Sequence, residues 1–339
     1  MTDIAILVAA YNAAATLPQC LDSLCTQTLH DIQILCVDDC STDNTLSLLR
    51  QRAKEDQRIK VLQTPVNSGQ AVARNLALEY VQAPYVCMVD ADDWLSPDAL
   101  EQALNVFKAH PRTDSVLFQL TLHYDTDGHE EDYGMPEALR SGQAYTGEEA
   151  FELCLNGWKL HGLYVTRSRI HKAIPFDTAT RLYSDDNSTC LHYLHSREVR
   201  ACSGIYYYRR HEQSMTNAFH LLRFSKMEAM LSLLIALKKE PLRKGVLKAY
   251  EGQRWISFVA YYRLYLEHES ELTTEEKADL QERFRTILHT FRPSRLPLRY
   301  RWKPGMWLTT SYPWFTLQQR IYMSAAGRMI RKITRPLRA

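Results

Sequence analysis

The chain has 339 residues, 45% hydrophobic and 24% charged, with a formal net charge of +2. Twelve Gly and 13 Pro are too few for a fibrous or low-complexity chain, and no apolar run reaches the ~18 residues of a transmembrane helix. The small net charge hides a split: Gln281 to Ala339 carry 13 Lys and Arg and one acid, Glu282, so that segment is +12 and residues 1–280 are −10.

Ile4–Ala10 is a continuous apolar run, as expected of a strand buried on both faces. Thr16 is placed to cap a helix with Leu17, Leu21 and Leu24 on one stripe. Ile32–Val37 predicts a second strand, and a helix from about Thr42 follows it. Ile59–Leu62 is a third strand, Gly69–Val81 a third helix and Tyr85–Val89 a fourth strand. Pro97–Ala109 reads as a fourth helix, with its proline in the first turn. Such alternation implies βαβ units, with a mostly parallel sheet flanked by helices.

Beyond Ser115 the pattern changes. Ser115–Tyr124 predicts a strand, Asp125–Gly134 a polar loop, Thr146–Leu155 a helix and Ile205–Tyr208 a short aromatic strand. From Leu221 to Leu266 the chain reads as mostly helical, and Leu272–Leu288 as an amphipathic helix entered through Thr273 and Thr274. The fold class is therefore α/β with a mainly helical C-terminal extension. Cys20, Cys25, Cys36 and Cys40 match no usual zinc spacing, and Cys36 lies inside an apolar run.

In open α/β sheets, ligands bind beyond the carboxyl ends of the strands. Here those ends read Ala9-Ala10-Tyr11-Asn12, Asp38-Asp39-Cys40-Ser41 and Asp90-Ala91-Asp92-Asp93. Helix capping explains single Asp residues, but five carboxylates at one edge call for a cation or donors to offset their repulsion. Asp90-Ala91-Asp92 suits a hard divalent cation that also binds phosphate. Asn67-Ser68-Gly69-Gln70 enters the third helix, where backbone N–H groups can face a phosphate, and Arg74 lies one turn further in.

These segments, in this order, resemble the family 2 glycosyltransferases of the GT-A fold. Asn67-Ser68-Gly69 with Ala73-Arg74-Asn75, and Val89-Asp90-Ala91-Asp92-Asp93, belong to the match. Tyr183-Ser184-Asp185-Asp186 resembles the family's Glu-Asp motif, with Asp185 in place of Glu. Tyr208-Arg209-Arg210-His211 through Ser214-Met215-Thr216 looks like its Tyr-Arg…Ser-x-Thr segment. Cys40 stands where the family often has Gly or Asn.

The resemblance implies an inverting transfer of a sugar, most simply from a UDP-sugar, to a hydroxyl of a glycan or lipid-linked acceptor in cell-surface polysaccharide synthesis. Ala9, Tyr11 and Asn12 would hold the nucleotide, Asp39 would hydrogen-bond the base, and Gly69 and Arg74 would lie beside them. Asp90 would approach the ribose, Asp92 would bind Mg²⁺ or Mn²⁺, and Asp93 would face the donor sugar or the acceptor. Asp186 would be the general base. His211 is a candidate further metal ligand, Arg209 and Ser214 candidates to close over the diphosphate, and Trp158 a candidate to stack on a sugar ring. Residues 1–217 would form the transferase domain, with a nucleotide-sugar half at 1–110 and an acceptor half at 111–217; residues 218–339 would form a basic helical region.

Two other readings fit parts of the pattern. One is an inactive nucleotide-sugar-binding scaffold. The other is a metal-dependent nucleotidyltransferase, although Ala13-Ala14-Ala15 lacks the basic loop such an enzyme would place after its first strand. In the tail, Trp302, Trp307, Trp314, Tyr300 and Tyr312 alternate with Arg and Lys, a composition suited to an anionic membrane surface; nucleic acid is the less favoured partner. Met1-Thr2-Asp3-Ile4 lacks the basic start of a signal peptide, so the expected location is cytoplasmic, peripheral at the inner face of the cell membrane.

Overall fold

The computed structural model describes residues 2–155, 159–180, 182–210, 219–242, 244–292, 294, 296 and 311–324. The chain divides into two compact units, Met1–His220 and Leu221–Ala339.

The first unit is built on one nine-stranded sheet. Its first half runs β1 (Ile4–Ala10), α1 (Leu17–Cys25), β2 (Ile32–Asp38), α2 (Thr45–Glu55), β3 (Ile59–Gln63), α3 (Gln70–Glu79), β4 (Tyr85–Met88), β5 (Trp94–Leu95) and α4 (Ala99–Ala109). Its second half runs β6 (Thr113–Tyr124), β7 (Glu130–Asp132), α5 (Glu137–Arg140), α6 (Gly147–Leu155), β8 (Tyr164–Arg167), α7 (Ser168–Ala173), α8 (Ser184–Leu194) and β9 (Glu198–Arg210). The spatial order is β3-β2-β1-β4-β8-β6-β9-β5, with β7 paired to β6.

The first four strands of that order are parallel, as the apolar runs predict. β8 is antiparallel to both β4 and β6, and β9 is parallel to β6. The sheet is therefore mixed, yet β1, β2, β3, β4, β6 and β9 all run the same way. Their carboxyl ends share one edge, which brings Arg209 and Arg210 to the edge that carries the Asp clusters.

Three segments depart from expectation. The polar Asp125–Gly134 stretch contains β7, which pairs with β6 through Thr121–Asp132 and His123–Glu130 as a hairpin. The aromatic strand near Ile205 extends from Glu198 to Arg210, because its whole length finds a partner in β6. Gly204 makes that pairing compatible with α4, since a Cβ there would lie 2.6 Å from Ala99 Cα. Thr16 occupies the cap position of α1 without a side-chain cap bond; its hydroxyl donates to Ala91 O at 3.1 Å instead.

The core follows from the same periodicities. Ile4 to Val8 and Ile34 to Val37 are fully buried. α3 turns Ala71, Ala73, Ala77 and Leu78 toward the sheet, and its alanines let it lie close to the strands. α4 buries Leu100, Ala103, Leu104 and Phe107.

The second unit is helical: α9 (Lys226–Leu237), α10 (Lys244–His268), α11 (Thr274–His289) and α12 (Tyr312–Met323), with 3₁₀ turns at Leu221–Ser225 and Glu269–Glu271. Thr273 and Glu276 close a capping box on α11, as the Thr273-Thr274 entry suggests. Trp255, Phe258, Tyr262, Phe284, Phe291 and Phe315 form the aromatic core, with Trp255 and Phe291 centroids 5.1 Å apart and Tyr262 and Phe315 4.9 Å apart. No described helix is long and apolar enough to cross a membrane.

Candidate functional site

The site forms where strands end. At the end of β1 the chain turns through Asn12, whose φ of 50° lies in the left-handed region. Its side-chain oxygen accepts from Thr42 N at 2.8 Å, and its own N–H donates to Ser41 Oγ at 3.0 Å. Ala13 N and Ala14 N donate to Thr45 and Asp43. The loops after β1 and β2 are thereby lashed together, with Ala9 in register with Val37 and the Tyr11 ring 48% exposed above them. Cys40, with φ 61°, takes the turn for which the family often uses Gly or Asn.

Asp39 is buried, and its carboxylate accepts from Thr64 Oγ1 at 2.6 Å, Ser68 N at 3.0 Å and Gly69 N at 2.7 Å. It fixes the loop that enters α3. Gly69 has φ 88°, a conformation open to glycine at little cost. A carboxylate offers about four lone-pair sites, so one acceptor position remains. Neighbouring Asp38 is fully buried; one of its oxygens accepts from Ser41 N, and Oδ1 has no hydrogen-bond partner.

Asp90, Asp92 and Asp93 follow β4, and one carboxylate oxygen from each lies within 4.8 Å of the others. Three hard oxygen donors so close suit a divalent cation of the Mg²⁺ or Mn²⁺ type. Asp93 is the inner member, 1% exposed, accepting from Tyr206 Oη and from Arg209 N, each at 2.8 Å. Burial, and then the nearby Asp92 and Asp90 charges, push its carboxyl well above the usual range. Tyr206 Oη also accepts from Asp90 N at 3.1 Å, so one phenol on β9 holds both ends of the turn. Arg209 ties the same turn to its surroundings: its Nε donates to Asp92 O and its Nη1 to Asp125, each at 2.8 Å, and its Nη2 to Gln19. Its guanidinium also lies over the Trp94 ring at 5.0 Å.

Arg74, on the inner face of α3, is 1% exposed and ion-paired with Asp90. Its Nε and Nη1 are buried without a hydrogen-bond partner, and the Phe176 ring lies 5.3 Å from the guanidinium carbon. Burial works against the charged guanidinium, but Asp90 and Asp185 more than reverse that and raise its affinity for the proton. Asp185 and Asp186 occupy the first turn of α8, where negative charge suits the helix dipole. Desolvation, and then Asp186 beside it, push Asp185 up to about 6; Arg74 acts in the opposite direction. The fields of Asp90, Arg74 and Asp185 thus overlap, which brings the entry of α8 to the acidic turn after β4.

Sequence reasoning did not find Phe176, Thr64, Tyr206 or Asp125. They are ordinary residue types whose roles come from contacts across long stretches of chain. His211, Ser214 and Trp158 lie outside the described residues.

Residues 5–156 match the model of glycosyl transferase family 2. An uncharacterized glycosyltransferase of Haemophilus influenzae is 37% identical over 102 residues, which cover 30% of this chain and 41% of that protein. A poly(ribitol-phosphate) beta-glucosyltransferase of Bacillus spizizenii is 38% identical over 120 residues, covering 34% of this chain and 19% of that protein. The match thus spans about two fifths or less of these relatives' own length. The crystal structure of S. aureus TarS 1-349 superposes with a TM-score of 0.71 at 18% identity, covering 95% of this chain and 91% of that one; the same protein in complex with UDP-GlcNAc gives 0.74. A Pyrobaculum calidifontis mannosyltransferase in complex with GDP-Man and Mn²⁺ gives 0.54 at 17% identity, covering 93% of this chain and 84% of that one. Residues 5–156 thus form a glycosyl transferase family 2 domain, and the fold is GT-A.

Proposed function

We propose that this chain transfers a sugar, with inversion, from a UDP-sugar to a hydroxyl of a glycan or lipid-linked acceptor in surface polysaccharide synthesis. The observation that carries the proposal is the meeting of two acidic groups across Arg74: Asp90, Asp92 and Asp93 after β4, and Asp185 with Asp186 at the start of α8. The donor class is supported by the likeness to a protein solved with UDP-GlcNAc.

Transfer asks for charge neutralisation at the leaving diphosphate and for a carboxylate to take the acceptor's proton. Asp92, with Asp90 beside it, would hold a divalent cation, which supplies that neutralisation when bound. Ala9, Tyr11 and Asn12 would border the base and ribose, with Tyr11 as the exposed aromatic face. Asp39 would offer its remaining acceptor position to a base N–H while fixing Ser68 and Gly69. Asp93 and Arg209 would hold the acidic turn in shape beneath the donor sugar. Asp186 would receive the acceptor proton, and a single base without a protein nucleophile gives inversion. An anionic membrane face is the proposed setting, reached through the basic tail.

The test is Asp186→Asn with a panel of nucleotide-sugars. Transfer should fall by at least about a hundredfold while UDP binding stays close to wild type. Wild-type turnover by the variant would remove Asp186 as the base.

A further inference from the structure

α12 carries its apolar side chains on both faces. Tyr312, Phe315 and Gln319 face inward and are buried. On the opposite side, Trp314, Leu317 and Ile321 are 67%, 47% and 57% exposed. Their spacing of three and four residues puts them on one stripe. The helix's own packing leaves that stripe uncovered, and desolvating three such side chains has a large driving force.

The surrounding sequence indicates what covers it. Arg292, Arg295, Arg299, Arg301 and Lys303 precede the helix, Arg328, Arg331, Lys332, Arg335 and Arg338 follow it, and no acid occurs after Glu282. An apolar stripe with Trp at one end, between two purely basic stretches, is complementary to an anionic lipid surface. A second copy seated on the same stripe would set one +12 segment against another.

We propose that the Trp314–Leu317–Ile321 face of α12 lies on an anionic bilayer, with the helix in the plane of the headgroups. The proposal rests on, and deepens, the anionic setting given above for the transferase.

The test is flotation of the full chain with vesicles of phosphatidylcholine, alone or with about 30% phosphatidylglycerol. Wild type should float with the anionic vesicles only. Combined Trp314→Ser, Leu317→Ser and Ile321→Ser should lower the bound-to-free ratio about tenfold or more, and Ile321→Ser alone should give a smaller loss. Circular dichroism checks that each variant is folded. Equal flotation of wild type and triple variant would overturn the proposal, because charge alone would then hold the chain. So would a wild type that never floats, or one that is dimeric by light scattering and becomes monomeric on the same substitutions. Donor turnover, measured on the same wild-type sample without vesicles, reports separately on the transferase reading.

Discussion

The carboxamide of Asn75 exchanges two hydrogen bonds with the backbone of Phe176, accepting from its N–H at 2.8 Å and donating to its carbonyl at 3.0 Å. One residue earlier, Arg74 pairs with Asp90 and lies against the Phe176 ring. The segment around Phe176 is in turn fastened to α8, through Asn187 to Asp177 at 2.7 Å and His192 to Ile174 O at 2.7 Å. Helix α3 therefore sets the spacing between the acidic turn and the carboxylates of α8.

Asn75→Ala should loosen that spacing. Leaving the Phe176 N–H and C=O unpaired costs roughly 1–3 kcal/mol, visible as a lower urea midpoint. The turnover number should fall more than UDP affinity does, because Asp186, the proposed base, moves while the loops proposed to hold the nucleotide stay braced by Asp39. An equal loss in both would place Asn75 in folding alone.

Tyr206→Phe tests the inner support of the acidic turn. The phenol donates to Asp93 and accepts from Asp90 N. Without it, Asp93 keeps only the Arg209 N–H among these two bonds, in a site 1% exposed to water. We expect a stability loss of about 1–3 kcal/mol and weaker Mn²⁺ binding in a paramagnetic titration. Unchanged Mn²⁺ affinity would make the turn indifferent to its support.

The first half of the site was legible in the sequence because each of its residues follows a strand of the parallel sheet. An apolar run followed by Asp or Asn announces both the strand and the edge it delivers to. The second half was less legible. Asp185 and Asp186 were visible as a motif, but β8 and α7, which bring the chain back beside β4, have no strong periodicity. Tyr206 read only as part of an aromatic strand, because its partners Asp93 and Asp90 lie 113 and 116 residues away. Asp39 was expected to meet a base; its three bonds to Thr64, Ser68 and Gly69 add a bracing role that depends on how β3 ends.

Activity should depend on pH through Asp185, beside the proposed base Asp186. Desolvation, and then the neighbouring Asp186 charge, hold Asp185 near 6, so Asp185 takes up a proton as pH falls through about 6. The rate of transfer should fall on the acid side with a slope of one proton and level off above. Asp185→Asn removes that titrating carboxyl and should abolish the acid limb near pH 6. A limb that stays in place would assign the titration to another group.

Stability should also fall on acidification, through the buried imidazoles. His192 is fully buried; its Nε2 donates to Ile174 O and its Nδ1 accepts from Tyr164 Oη at 2.6 Å, which leaves no place for a second proton. Burial lowers it to about 4, and also lowers His171, whose ring is 4.3 Å away. Between the unfolded value near 6.5 and the folded value, the unfolded chain binds more protons, so stability is complete above about 6.5 and is lost as pH falls toward 4. His192 alone accounts for about 3 kcal/mol over that window. Asp185 acts the other way, since its protonated form is favoured by folding, so the measurement must be a difference between proteins. His192→Gln retains a donor toward Ile174 and an acceptor toward Tyr164 but cannot charge. Urea unfolding of wild type and variant at pH 7 and pH 5 should show the wild type losing more stability on acidification. Parallel losses would mean that the ring already binds its proton in the folded state, and that the close contact with His171 is relieved by movement of α8.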